Sequence, residues 1–297
     1  MRYLLITIVF LFTAIANGSE ISSSLLSKTS EKAEQKLESA INDMFDNTEF
    51  DLSGFKDGKP SFGLSSIIPI YDSDYITSFF QGHLSTQSDI EIFNIGFVQR
   101  RQFFDSKLIT GFNLFYDYDL EHSHERWSLG GDLLTSLGDI HLNYYEALTE
   151  YKYNNGMKEI TLGGYDVQVA FPLPYLPKSK FYAETFSWNG VSSSRDLEGE
   201  TFSLKSEFPY GVDIELGKTS YDYISQDEEF ISLKINLLEL NKMHKPFKYE
   251  IAEMYSNVPY ESLNFSSVSD RRFEKVRREN KIKKQTNRQG TVKIVGY

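Results

Sequence analysis

The stretch Lys107-Leu108-Ile109-Thr110-Gly111-Phe112-Asn113-Leu114-Phe115-Tyr116-Asp117-Tyr118-Asp119-Leu120 divides its side chains between two faces. Leu108, Phe112, Leu114, Tyr116 and Tyr118 fall on one side, and Gly111, Asn113, Asp117 and Asp119 on the other. A repeat of two belongs to a strand, not a helix. The same reading extends outward. In 126–134, Trp127, Leu129 and Leu133 oppose Arg126, Ser128, Gly130 and Asp132. Segment 164–171 sets Tyr165, Val167, Val169 and Phe171 against Gly164, Asp166 and Gln168. Phe202, Leu204 and Phe208 oppose Thr201, Ser203, Lys205 and Glu207, and Ile231, Leu233, Ile235 and Leu237 oppose Ser232, Lys234 and Asn236.

Twelve such runs are expected, at 47–55, 60–70, 75–84, 91–104, 107–120, 124–136, 139–151, 158–172, 179–189, 199–209, 211–222 and 228–240. An even count suits a single-chain outer-membrane barrel. Connections after even-numbered runs are tight, as at Asp105-Ser106 and Gly138, apart from the Pro-bearing Pro172 to Lys178. Those after odd-numbered runs are usually longer, as in Lys152 to Met157 and Gly190 to Glu198. Short periplasmic turns and long extracellular loops alternate in this way. A soluble β-sandwich shares the alternation. Against it stand the strand lengths, aromatics near strand ends (Tyr71, Tyr75, Tyr116, Tyr118, Tyr144, Tyr151, Tyr153, Trp188) and the polar faces, which a water-filled lumen would solvate.

Composition agrees with an exported barrel. Aromatic residues make up 15% of the 297, too many for a disordered chain. The absence of Cys excludes a disulfide framework, a thiolate nucleophile and Cys-ligated metal. Arg2 followed by an apolar run from Tyr3 to Ile15 and small residues reads as a signal peptide over 1–18, with an uncleaved anchor as the alternative. Residues 19–46, with Leu26, Ala33, Leu37, Ala40, Ile41 and Phe45 at helical spacing, are expected to form a short periplasmic helix. The barrel then occupies 47–240 and a linker 241–297.

Charge is segregated. Between 271 and 297, ten cations (Arg271, Arg272, Lys275, Arg277, Arg278, Lys281, Lys283, Lys284, Arg288, Lys293) face only Glu274 and Glu279. That net of +8, in a chain totalling -11, leaves -19 elsewhere.

Gly111 to Leu120, followed by His124-Glu125-Arg126 and Ser128-Leu129-Gly130-Gly131-Asp132, resembles the central motif of the inverse autotransporter β-domain, the barrel of intimins and invasins. Its characteristic positions here are Gly111, Asn113, Phe115, Tyr116, Asp117, Tyr118, Asp119 and Arg126. Leu142-Asn143-Tyr144-Tyr145 with Leu148, Gly164-Tyr165-Asp166-Val167 with Leu173-Pro174-Tyr175, Ile68-Pro69-Ile70-Tyr71-Asp72 and Phe80-Gln81-Gly82 continue the likeness. So does Arg272 to Ile282, which contains Asn280. The resemblance spans roughly 40–285. It implies a twelve-stranded antiparallel outer-membrane barrel, all-β, that exports a C-terminal passenger, usually adhesin domains, through its pore. Residues 241–297 are too few for an immunoglobulin-like domain of about 100 residues, so a transporter unit without its adhesin is expected.

On that fold Asp117, Asp119, Asp132, Asp166, Glu184, Glu207, Asp213 and Glu215 point inward, with Arg126, Lys205 and Lys234 as partial counterions. Low-dielectric walls concentrate such a field, so residues near 262–297 are expected to thread or plug the pore. About ten extended residues cross a ~30 Å layer. A solvated tail against anionic lipid or peptidoglycan is the alternative.

No catalytic, cofactor or metal site is expected. His122 and His124 near Asp119 and Glu121 imitate a metal site, and His83 with Ser85 imitates a hydrolase pair without a third group to orient it. Expected partners are outer-membrane lipid and the barrel-assembly machinery, then peptidoglycan or a separately encoded passenger, and no nucleic acid. Three functions remain open: an exporting or anchoring barrel, a passive pore and an outer-membrane hydrolase.

Overall fold

A computed structural model describes residues 48–53, 61–87, 90–154, 156–191, 194–223, 227–236, 239, 254–257, 264–288 and 291–295. The expected signal peptide and the 19–46 helix lie outside the described residues. The strands are β1 (Glu49–Ser53), β2 (Ser61–Asp72), β3 (Ile76–Gln87), β4 (Ile90–Phe103), β5 (Leu108–Asp119), β6 (Glu125–Thr135), β7 (Asp139–Ala147), β8 (Lys152–Asn154), β9 (Met157–Thr161), β10 (Gly164–Leu173), β11 (Leu176–Trp188), β12 (Leu197–Phe208), β13 (Val212–Tyr221), β14 (Glu228–Asn236), β15 (Lys284–Arg288) and β16 (Thr291–Val295).

Twelve of them, β1 to β7 and β10 to β14, form a closed antiparallel barrel in sequence order. It is sealed where β1 pairs with β14, Glu49 opposite Asn236. Closure leaves no free strand edge in a lipid environment, where an unpaired amide is costly. The last barrel strand ends at Asn236, short of the expected 240.

Alternation turns the usual globular pattern inside out. Phe80, Phe112, Leu114, Leu142, Phe202 and Leu216 are large, apolar and exposed on the outer face. Cross-strand aromatic pairs stiffen that face, among them Phe80 with Phe97 at 5.8 Å between centroids and Trp127 with Tyr144 at 6.2 Å. No helix among the described residues is long and apolar enough to cross a membrane.

Five tight connections gather at one end, the turn end. The connection after β10 is among them: β11 starts at Leu176, so the Pro172 to Lys178 segment is a hairpin and not a long loop. Tyr175 makes the reversal at φ 61°. Gly138 is required in its turn, since its φ is 156° and a Cβ would lie 2.6 Å from the Ala170 carbonyl oxygen.

At the opposite, loop end the expected run 158–172 is two strands. The chain leaves the barrel after Ala147, forms the β8–β9 hairpin and re-enters at Gly164. The Leu162 amide there donates to the Lys283 carbonyl at 2.9 Å. Pairing continues across β9 to β15 and β16, giving a second sheet in the order β16-β15-β9-β8. Thr291–Val295 therefore pairs with β15 and not with a barrel strand.

Candidate functional site

The inward faces of the strands enclose residues 268–286. At the turn end the Val268 amide donates to the Ser106 carbonyl at 2.8 Å, and Ser269–Phe273 form one 3-10 turn. Arg271 forks onto Asp139 with two contacts of 2.8 Å, and Lys180 meets the same carboxylate at 2.7 Å. Arg272 grips Asp72 at 3.0 Å. Halfway along, Val276 packs into an apolar cluster of Ile67, Phe79, Val98 and Phe115. Arg277 reaches Glu215 at 2.8 Å and Gln168 at 2.6 Å. Arg278 forks onto Asp117 at 2.9 and 2.6 Å while lying 4.5 Å over the Phe115 ring. Further up, Lys284 meets Asp119 at 2.8 Å, and beyond it the chain joins β9. The segment thus runs the length of the lumen, from turn end to loop end.

The wall also binds the main chain of this segment. Arg100 donates to the carbonyls of Arg271, Arg272 and Glu274. Asn143 donates to the Arg277 carbonyl at 3.0 Å, Arg126 to that of Glu279 at 2.8 Å and Asn94 to that of Asn280 at 3.1 Å. In the other direction Gln81 accepts from the Val276 amide at 2.9 Å and Tyr145 from the Glu279 amide at 2.7 Å. A barrel interior has no strand partner for an extended segment, so side chains satisfy its backbone groups.

Two glycines make room. A Cβ at Gly111 would lie 2.9 Å from an Asp132 oxygen, closing the gap across which Arg100 reaches Asp132 at 2.9 Å. One at Gly96 would lie 2.4 Å from the Phe115 ring.

At the loop end His124 is fully buried, between Thr161 at 2.9 Å and Glu159 at 3.3 Å. Burial, assisted by the charge of Lys284, holds its imidazole below the ordinary 6.5, against the opposing pull of Glu159.

The family model for the inverse autotransporter β-domain matches residues 14–213. The chain belongs to that family. Among solved structures similar to this inverse autotransporter barrel is one from a study of the in-meso crystallization of membrane proteins. It is 18% identical, with 81% of this chain and 99% of the other covered and a TM-score of 0.65, and it shares the fold. More distant are the KdgM porin (9% identical, 64% and 98% covered, TM-score 0.45) and outer membrane phospholipase A from Escherichia coli (9%, 67% and 98%, TM-score 0.43). No curated relative matches by sequence.

In this inverse autotransporter barrel the eight acids singled out in the sequence have unequal fates. Asp117, Asp119 and Glu215 receive cations of the enclosed segment. Asp132 is taken instead by Arg100 and His141, Asp166 by Asn143 and Tyr145, and Glu184 by Gln168. Asp213 pairs with Lys205 at 2.8 Å, and Glu207 stands half exposed at the turn end beside the same lysine. Lys275 pairs with Glu49 at 3.0 Å and Lys283 with Glu279 at 2.9 Å, while Lys281 lies in the field of Glu279. The side chains of Arg288 and Lys293 lie outside the described residues.

Two expectations need correction. The polar faces are not solvated: Asp117 and Asp119 are 0% exposed, because the enclosed segment and apolar clusters occupy the space assigned to water. Trp188 is no interfacial aromatic. It is 1% exposed and faces inward, 5.0 Å from Tyr145 and 5.6 Å from the Arg126 guanidinium.

The motif positions divide by face. Asn113, Phe115, Asp117, Asp119 and Arg126 are buried inside with Gly111 beside them, whereas Tyr116 faces out and Tyr118 is half-buried. Sequence reasoning missed Asn94, Arg100, Asp139, Glu49 and Glu159, and it placed Asp72 and Gln81 in the family likeness without assigning them a contact. The signal for Arg100 was available: in a strand one of the neighbours Arg100 and Arg101 must face inward.

His83 bonds Ser65 at 2.8 Å. His122 lies 3.0 Å from the Lys284 ammonium. Among the described residues no group of three or more His, Asp or Glu is placed to hold a metal ion.

Proposed function

We propose that this outer-membrane barrel anchors and exports its own C-terminal segment, with the turn end in the periplasm and the loop end at the cell surface. One observation carries the reading. Residues 271–284 traverse the lumen, and Arg100, Arg126, Asn94 and Asn143 bind their backbone carbonyls. Carbonyls are present in every polypeptide, so such a wall suits the passage of a chain, while the arginine pairs suit its arrest at one position. A passive pore, by contrast, needs a clear lumen.

A protease-cleavable tag placed after Tyr297 tests this. On intact cells the tag is expected to be removed by added protease without permeabilisation. Protection of the tag in intact cells, with cleavage after lysis, would refute export.

A further inference from the structure

At the loop end the β9 edge presents a strand-shaped site. Its main chain pairs with the enclosed segment over four residues: Thr161 with Lys284, Ile160 with Gln285, Glu159 with Thr286 and Lys158 with Asn287. Two side-chain contacts then distinguish one peptide from another. Lys284 enters a buried pocket made by Asp119 at 2.8 Å, His122 at 3.0 Å and Glu159 at 3.9 Å. The Gln285 amide clasps the backbone of Val191 from the next loop, accepting from its N–H at 2.9 Å and donating to its carbonyl at 3.0 Å. Ile282, 1% exposed, is buried just before the strand begins. Main-chain pairing supplies affinity and alternate side-chain pockets supply selectivity in any such strand addition.

We propose that the β8–β9 hairpin with the Asp119 pocket is a strand-capture site for an extended peptide carrying a lysine, and that its ligand is residues 282–287 of this chain as they emerge. The pocket acts as a register stop. Sliding one way would put uncharged Gln285 at the carboxylate; sliding the other way would put Lys283 there but set Lys284, which cannot accept a hydrogen bond, in the place of Gln285 against Val191, and either slip turns every side chain to the other face. This inference rests on the export reading, because a segment that never reaches the loop end has nothing to capture.

The chain has no Cys, which permits a clean cross-link test in the full-length protein. Lys158→Cys with Asn287→Cys joins register partners, within reach of a disulfide. Tyr153→Cys with Asn287→Cys is the control. Tyr153 pairs with Lys158 on the far side of β9, so it stands two strands, about 10 Å, from Asn287. On mildly oxidised cells the first pair is expected to link and the control to remain reduced.

Adding Lys284→Met should slow linking about tenfold, the scale of one lost charge-assisted contact, and Lys284→Arg should restore part of the rate. The Lys284→Met protein is expected to fold, since Asp119 keeps the amides of Glu121 and His122. The protease-cleavable tag after Tyr297 is followed in the same cells. An accessible tag with no linking, with equal linking in the control or with unchanged linking in Lys284→Met overturns capture alone. A protected tag overturns export and capture together.

Discussion

Arg278→Met should loosen the enclosed segment more than any other single change in it. The Arg278 side chain is fully buried, forks onto Asp117 at 2.9 and 2.6 Å, donates to Ser128 at 3.0 Å and covers the Phe115 ring. Removing one partner of a buried ion pair costs about 3–5 kcal/mol, because the other charge stays behind unsolvated. Asp117 would keep Arg126 at 2.8 Å and Asn94 at 2.7 Å, which places the loss at the lower end, about 3 kcal/mol. At about 1.4 kcal/mol per tenfold, local opening should become roughly 150 times more frequent. Amide exchange at Val276 and Glu279 reports it directly, since both amides donate to wall side chains. Arg278→Lys keeps the charge but not the fork, so its rise should be smaller. Exchange at both amides within threefold of the parent in Arg278→Met, with the barrel still folded by heat-modifiable migration, would refute the claim that this pair pins the segment.

Three further outcomes are expected. Arg271→Ala opens the turn-end latch on Asp139. The arginine side chain is partly exposed, so the cost is discounted to about 1–2 kcal/mol, and more frequent current steps through reconstituted single barrels should be recorded; current traces matching the parent would count against a latch. Gly96→Ala pushes a methyl into the buried Phe115 ring and should cost about 1–3 kcal/mol. It is read as a lower temperature for conversion to the heat-modified form, and Phe115→Leu in the same protein should recover part of the loss. The loop-end sheet should weaken in acid. His124 is held below its ordinary 6.5, so protonation favours the opened state; the contribution is complete above 6.5 and fades as pH falls through the lower folded value. Protection of the Ile160 and Gln285 amides should fall accordingly, and His124→Gln should flatten that pH dependence. A parent protein with flat protection across the acid range would disprove the linkage.

The alternation in Lys107 to Leu120 and its counterparts was enough to give strands and their two faces, because side-chain direction in a strand depends only on parity; the even strand count, the strand lengths and the aromatics at strand ends pointed to a barrel, and the particular residues of the motif carried the family likeness. Opposite charge on the C-terminal segment and on the polar faces was likewise plain from composition. Other features were invisible at that level. Asp132 and Asp117 share a face, a charge and a family motif, yet Arg100 reaches one across Gly111 while Arg278 holds the other. Height in a barrel depends on the stagger of twelve strands and the tilt that closes them, so the meeting of a given acid with a given cation is a property of closure. The departure of β9 from the barrel was hidden for a related reason. The apolar positions change phase there, from Ile160 and Leu162 to Tyr165 and Val167, but that slip does not name the new partner, which is Lys284–Asn287 in place of a neighbouring barrel strand. Parity is local and is written in the chain; partnership is long-range and is decided when the sheet closes around its own C-terminal segment.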